Sequence, residues 1–217
     1  MLVIIDPGHG GLNEKGEYVT TGKRSRHPVD GEMWYEGHEM RKYAKHWAKV
    51  LRNLGYDVAF TVHPDNYKDT PLAERVALAN SICKDPKNCV LLSLHTNADS
   101  DKSPRPGQAH GKEVYTSPGV TLSDYLAKFY IEEFKKSSYG DFRLRKDMSD
   151  GFPDKEANFF MVRRTSMPAI LIEFGFHTND DDVRVMRDWS YCHFTVIAMY
   201  KALKRYQKFL KESGGKI

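Results

Sequence analysis

Three short apolar runs each end in a side chain that can bind a metal or move a proton. "LVIIDPGH" ends in His9, "VLLSLH" in His95 and "AILIE" in Glu173. Ligands of open α/β sheets bind beyond the carboxyl ends of the strands, so parallel strands would gather these three groups at one edge. A single strand-end histidine is commonly a hydrogen-bonded structural residue, whereas three such ends together point to a site. A fourth member follows from helical phase. At about 100° per residue, Glu36 falls within the apolar stripe of Met40, Tyr43 and Trp47, while His38 faces the other way and Glu39 sits on the flank. An inward carboxylate is costly without a partner; the helix N-terminus offsets part of that cost and a metal ion would offset more. A capping carboxylate is the alternative reading of Glu36.

His9, Glu36 and His95 make a donor set of the catalytic zinc kind, with a fourth position for water. Zinc lowers the pKa of bound water to about 7. Glu173 then remains to take the water proton as general base and return it to the leaving group as acid. Other divalent metals also accept nitrogen and oxygen donors. The glycines of "IDPGHGG" let the loop approach its neighbours without Cβ clashes.

Those side chains need a sheet to carry them. Short apolar runs alternate with helix-period segments, the pattern of an α/β protein with a mainly parallel sheet. Strands are predicted at 2–5, 56–62, 89–95, 112–116 and 169–173, and helices at 36–54, 71–84, 120–137 and 189–211. The connections 8–35, 96–111 and 138–158 are long enough to expect function of them, rimming one cleft. The 217 residues suit one domain, read as a catalytic unit over 1–212 with a short tail at 213–217.

No apolar stretch reaches the roughly 18–20 residues that cross a bilayer, and "MLVIID" is too short for a signal-peptide core. We therefore expect synthesis in a cytoplasm, or a domain excised from a longer chain. A net charge of +4 suits a polyanionic surface and is too small to argue for nucleic acid. Cys83, Cys89 and Cys192 are too few and scattered for a disulfide framework and are expected to be reduced, partly buried thiols. The lysines of "YKALKRYQKFLKE" read as the solvated face of a last helix, and "TNDDD" at 178–182 as helix capping rather than a calcium loop.

"IDPGHGG", the inward Glu36 on a helix ending "LRNLGYDV", "SLHTNA" and "PAILIEFGFHTN" occur in one order that resembles the zinc-dependent N-acetylmuramoyl-L-alanine amidases of type 3. "LAERVALAN" is similar to the helix before that family's second histidine strand, and "GKEVYTS" to the strand after it. The resemblance spans roughly residues 2–205. It implies a single α/β domain with a twisted, mostly parallel sheet of about six strands and helices on both faces. By position it implies one zinc ion on His9, Glu36 and His95, and catalysis by Glu173. The reaction implied is hydrolysis of the amide between N-acetylmuramic acid and L-alanine in peptidoglycan, with zinc-bound water as nucleophile.

The chain departs from the family pattern in its long 8–35 connection and in "RLRKDMSDGFPDKEANFF". Both are expected to shape the substrate cleft, with Trp34, Tyr35 and Phe152 offering surfaces to sugar or peptide; loop residues packing on one another is the alternative. Asn97, Arg163 and His177 complete the expected substrate contacts, Arg163 towards a stem-peptide carboxylate. His27, His38, His63, His110 and His193 read as surface or packing residues. Neither an inhibitory helix nor a separate wall-binding module is legible. The expected partner is peptidoglycan, with no membrane or nucleic acid, and the expected state a monomer. A phage or prophage lysin fits best, a bacterial wall enzyme next. A zinc peptidase cutting within the stem peptide, and a non-catalytic wall-binding protein, are the other readings.

Overall fold

A computed structural model of the chain describes residues 1–100 and 108–215. Its strands are β1 (Leu2–Pro7), β2 (Asp57–Phe60), β3 (Cys89–Asn97), β4 (Glu113–Thr116), β5 (Lys155–Glu156) and β6 (Ala169–Phe176). Its helices are α1 (Glu36–Asn53), α2 (Leu72–Ile82), α3 (Leu122–Lys135), α4 (Phe160–Arg164), α5 (Asp180–Arg187) and α6 (Trp189–Ser213). The strands form one sheet in the order β2-β1-β3-β6-β4-β5. β1, β2, β3 and β6 run parallel, and β4 returns antiparallel to β6 with β5 parallel to β4.

Side-chain alternation divides the interior into two cores. Val3, Ile5, Val90, Leu92, Ile170 and Ile172 face one side and pack under α1, α3, α5 and α6. Ile4, Leu91, Ala169 and Leu171 face the other, where α2 and α4 cover them through Val76, Ala79, Met161 and Val162. The period of two along each strand produces this division. Helix α1 buries the expected stripe of Met40, Tyr43, Ala44, Trp47 and Leu51 against the thicker core. Asn179 caps α5, its side-chain oxygen accepting from the Asp182 amide at 3.0 Å.

Several elements differ from the sequence expectations. The sixth strand, β5, lies inside the 138–158 connection and is two residues long, too short for any periodicity. Helix α4 falls between two predicted elements. Part of the 96–111 connection, 101–107, lies outside the described residues, as do 216–217 of the expected tail. The reading of Cys83 and Cys89 as free thiols is corrected: they form a disulfide, with Cα atoms 6.1 Å apart. A one-turn 3-10 helix at Pro86–Asn88 folds the chain back between α2 and β3, which brings the two cysteines together. Cys192 is a free, buried thiol.

Candidate active site

β1, β3 and β6 end side by side, on the thinly covered face of the sheet. His95 of β3 and Glu173 of β6 are direct register partners, and Glu113 of β4 is the partner of Glu173 on its other side. The β1 chain continues into the loop bearing His9, which adopts a left-handed backbone with φ 58°. Two buried arginines hold that loop by its carbonyls. The His9 carbonyl accepts from Arg41 Nη1 at 2.8 Å and from Arg75 Nη2 at 2.9 Å. Arg75 also donates to the Pro7 carbonyl at 2.6 Å and pairs with Asp6 Oδ1 at 3.1 Å. Asp6 accepts in addition from Thr61 and Ser93, so its carboxyl stays below the ordinary range: burial opposes this, and the Arg75 charge and the two hydroxyls prevail.

Close approach explains two glycines. A Cβ on Gly8 would lie 2.4 Å from the His95 ring, and one on Gly37 would lie 2.0 Å from the Gly10 carbonyl oxygen. Glycine at 37 therefore lets the first turn of α1 press against the loop and carry Glu36 over the strand ends. Glu36 Oε1 lies 3.1 Å from His95 Nδ1 and accepts from the Thr96 amide at 3.0 Å, while Oε2 lies 3.4 Å from His9 Nε2. One donor atom from each of His9, Glu36 and His95 lies within 4.8 Å of the other two.

Burial would raise the Glu36 carboxyl, but the hydrogen bond from His95 and the charges of His9 and His95 hold it down at about 2. Burial lowers His9 to about 4 despite Glu36. His95 rises, because the hydrogen bond and charge of Glu36 outweigh its burial. Glu173 is the opposite case, pushed up to about 8 by burial and by the charges of Glu36 and Glu113, with His95 opposing. Its Oε2 is buried with no hydrogen-bond partner among the described residues. A buried anion contacted by two imidazoles, beside an unsatisfied carboxyl oxygen, is an arrangement that a divalent cation completes; the donors are those of a borderline metal such as zinc. The residues present fit that group.

These residues line a cavity of about 370 Å³, together with Asn97, His177, Lys23, Leu72, Phe159 and Phe160. His177 is 2 % exposed, and its Nδ1 lies 3.0 Å from both the carbonyl and the hydroxyl oxygen of Thr96. With its Nδ1–H donated to that carbonyl, the buried Nε2 has no partner among the described residues. Asn97 Nδ2 donates to Glu113 Oε2 at 2.6 Å, and Arg145 and Lys155 close on Glu113 Oε1 at 2.5 and 2.6 Å.

Other expected contacts fall elsewhere. Trp34 offers no surface to a substrate: it is 1 % exposed, and its indole N–H donates to the Thr96 hydroxyl at 3.3 Å. Tyr35 precedes α1 with its ring on Tyr18, centroids 4.8 Å apart. Phe152 packs on Tyr125 at 5.0 Å, and Arg163 is bonded to Asn158. Tyr35, Phe152 and Arg163 do not line the cavity. The aromatic wall comes instead from Phe159 and Phe160, which are 39 % and 40 % exposed. Two adjacent aromatics in the polar stretch "EANFF" were the signal for them. A glutamate inside "KEVYT" was the signal for Glu113.

The fold is a single α/β domain whose mostly parallel sheet gathers His9, Glu36, His95 and Glu173 in one cavity where its central strands end. The family model of the type 3 N-acetylmuramoyl-L-alanine amidases matches residues 3–205, and the chain belongs to that family of amide hydrolases. It is similar to the N-acetylmuramoyl-L-alanine amidase AmiA of Escherichia coli, at 24 % identity over 85 % of this chain and 68 % of that protein. It is also similar to the probable cell wall amidase LytH of Staphylococcus saprophyticus, at 26 % identity over 94 % of this chain and 57 % of that one. The crystal structure of an N-acetylmuramoyl-L-alanine amidase from Clostridium difficile 630 superposes with a TM-score of 0.72 at 28 % identity, covering 95 % of this chain and 96 % of that one.

Proposed function

We propose that residues 1–212 hydrolyse the amide between N-acetylmuramic acid and L-alanine in peptidoglycan, with His9, Glu36 and His95 holding one zinc ion and Glu173 acting as general base and acid. The observation that carries this reading is the buried Glu36 carboxylate between two imidazoles, with the unsatisfied Glu173 carboxyl in the same cavity. Zinc at these donors would supply a Lewis acid that polarises the amide carbonyl and acidifies a water. Glu173 takes the proton of the attacking water and delivers it to the departing L-alanine nitrogen. Phe159 and Phe160 give the sugar and peptide an apolar wall, and Asn97 and His177 offer polar contacts opposite.

The stem peptide carries carboxylates, and a second cavity of about 730 Å³ suits them. It is lined by Lys135, Arg143, Arg145, Lys146 and Lys155, and Lys155 and Arg145 connect it to the cleft through Glu113 and Asn97. The Cys83–Cys89 disulfide accords with action at the cell wall, because such bonds persist in oxidising compartments. No helix among the described residues is long and apolar enough to cross a membrane.

Metal analysis tests the site. Glu36→Ala should lower the zinc content of the purified protein well below one per chain, whereas Glu39→Ala, whose carboxylate pairs with Lys42 at 2.8 Å, should not. Full zinc in the Glu36 variant would remove it from the ligand set.

A further inference from the structure

Among the described residues that line the catalytic cavity, Lys23 is the sole lysine or arginine. It stands on the long 8–35 connection, where the chain departs from the family pattern. Its backbone is fixed. Arg24 and Tyr35 form an antiparallel bridge, the Glu36 amide donates to the Lys23 carbonyl at 2.9 Å, and the Ser25 amide donates to the Trp34 carbonyl at 2.9 Å. This short ladder sets Lys23 across from Glu36, and the buried indole of Trp34, bonded to Thr96, anchors it at the β3 end.

The side chain of Lys23 does no work in the fold. It is exposed, and among the described residues its ammonium has no hydrogen bond and no ion pair. Nearby charges of the connection are spent on structure: Arg26 donates to the Asp99 carbonyl at 3.2 Å, and Asp30 pairs with Arg184 at 3.2 Å. Burial is the first influence on the protonation of His9, Glu173 and His177, and the Lys23 charge is a further one on each. The ammonium therefore lies within electrostatic reach of the reacting centre. Leu72, Phe159, Phe160, Met161 and Leu171 line the same cavity, and a substrate seated on them displaces water, which strengthens the attraction between Lys23 and an anion.

The substrate has one anion close to the scissile bond. N-acetylmuramic acid spends its carboxyl in that amide, and L-alanine within the stem is uncharged. The first carboxylate belongs to the stem residue after L-alanine, where it is either free or capped as an amide. We propose that Lys23 is a specificity-determining residue that binds this carboxylate, so that stem peptides carrying it free are taken in preference to amidated ones, an assignment that rests on the amidase function proposed for this cavity. The basic cavity beyond Glu113 suits carboxylates further along the stem, and Lys23 serves the one at the scissile end.

The test measures binding calorimetrically with the zinc-loaded Glu173→Gln protein, so that turnover does not intervene. The probes are two muramyl peptides that differ only in a carboxylate or an amide on the residue after L-alanine. The free acid should bind about ten-fold tighter, the scale of a hydrogen bond to a charged group. Adding Lys23→Met, which replaces an exposed ammonium with an apolar chain, should level the two Kd values, and Lys23→Arg should keep the free-acid preference. Equal Kd values before that change, or a preference that persists in Lys23→Met, would overturn the proposal. So would an equal loss of affinity for both peptides, which would place the effect of Lys23 on the catalytic groups instead. The products of wild-type digestion judge the underlying function separately: peptides cut between amino acids would defeat the amidase reading, and the ratio of the two Kd values would still decide the role of Lys23.

Discussion

Arg75→Met removes a guanidinium that is as buried as its partner Asp6, both 1 % exposed. The arginine also closes hydrogen bonds to the carbonyls of Thr70, Pro7 and His9. Methionine fills much of the space but leaves the Asp6 carboxylate buried, with only Thr61 and Ser93 as partners. Removing one partner of a buried pair costs about 3–5 kcal/mol. For a domain of this size that corresponds to a Tm loss of roughly 6–20 °C. Urea unfolding at fixed zinc concentration measures the difference directly. In Asp6→Asn/Arg75→Met the stranded charge is gone, so the double variant should be less destabilised than the sum of its two single variants.

The pH dependence has a definite sign. Asp6 is depressed below its ordinary value of 3.8 in the fold, so its contribution is present above that value and is lost as pH falls through the depressed pKa. The deficit of Arg75→Met should accordingly be largest near neutrality and shrink in acid, where the stranded carboxylate takes up a proton. A loss below about 1 kcal/mol at pH 7, the scale of exposed pairs, would refute the claim that this pair supports the His9 loop.

Glu173→Gln should keep its zinc and lose turnover by about 10²–10⁴-fold, the scale of general acid–base catalysis; wild-type turnover would remove Glu173 as the base. Cys83→Ser opens the short loop closed by the disulfide and should cost about 2 kcal/mol in urea unfolding under oxidising conditions. Equal stability with the wild type would show that the bond does not form. Phe159→Ala/Phe160→Ala should raise KM for peptidoglycan fragments more than it lowers kcat, since the two rings line the cavity and carry no group that titrates. A loss confined to kcat would contradict the wall role.

What was legible in the sequence was what local pattern encodes. The runs before His9, His95 and Glu173 are buried strands ending at one edge, so a polar residue at each end stood out. Glu36 was legible because an 18-residue helix repeats its phase faithfully. Features that depend on tertiary return were not legible. Trp34 reads as an aromatic in a loop, yet the loop folds under the β3 end and buries the indole against Thr96. Cys83 and Cys89 carry no pairing signal until the turn at Pro86–Asn88 closes. Nothing in the sequence singles out Arg41 or Arg75; the incoming carbonyls of the His9 loop make them buried supports.

The most direct test of the account is a mass spectrum of the soluble products released when the zinc-loaded protein digests purified peptidoglycan. The account predicts intact stem peptides bearing a free L-alanine amine, and glycan strands stripped of peptide. Peptides shortened between amino acids, with L-alanine still attached to the glycan, would contradict it.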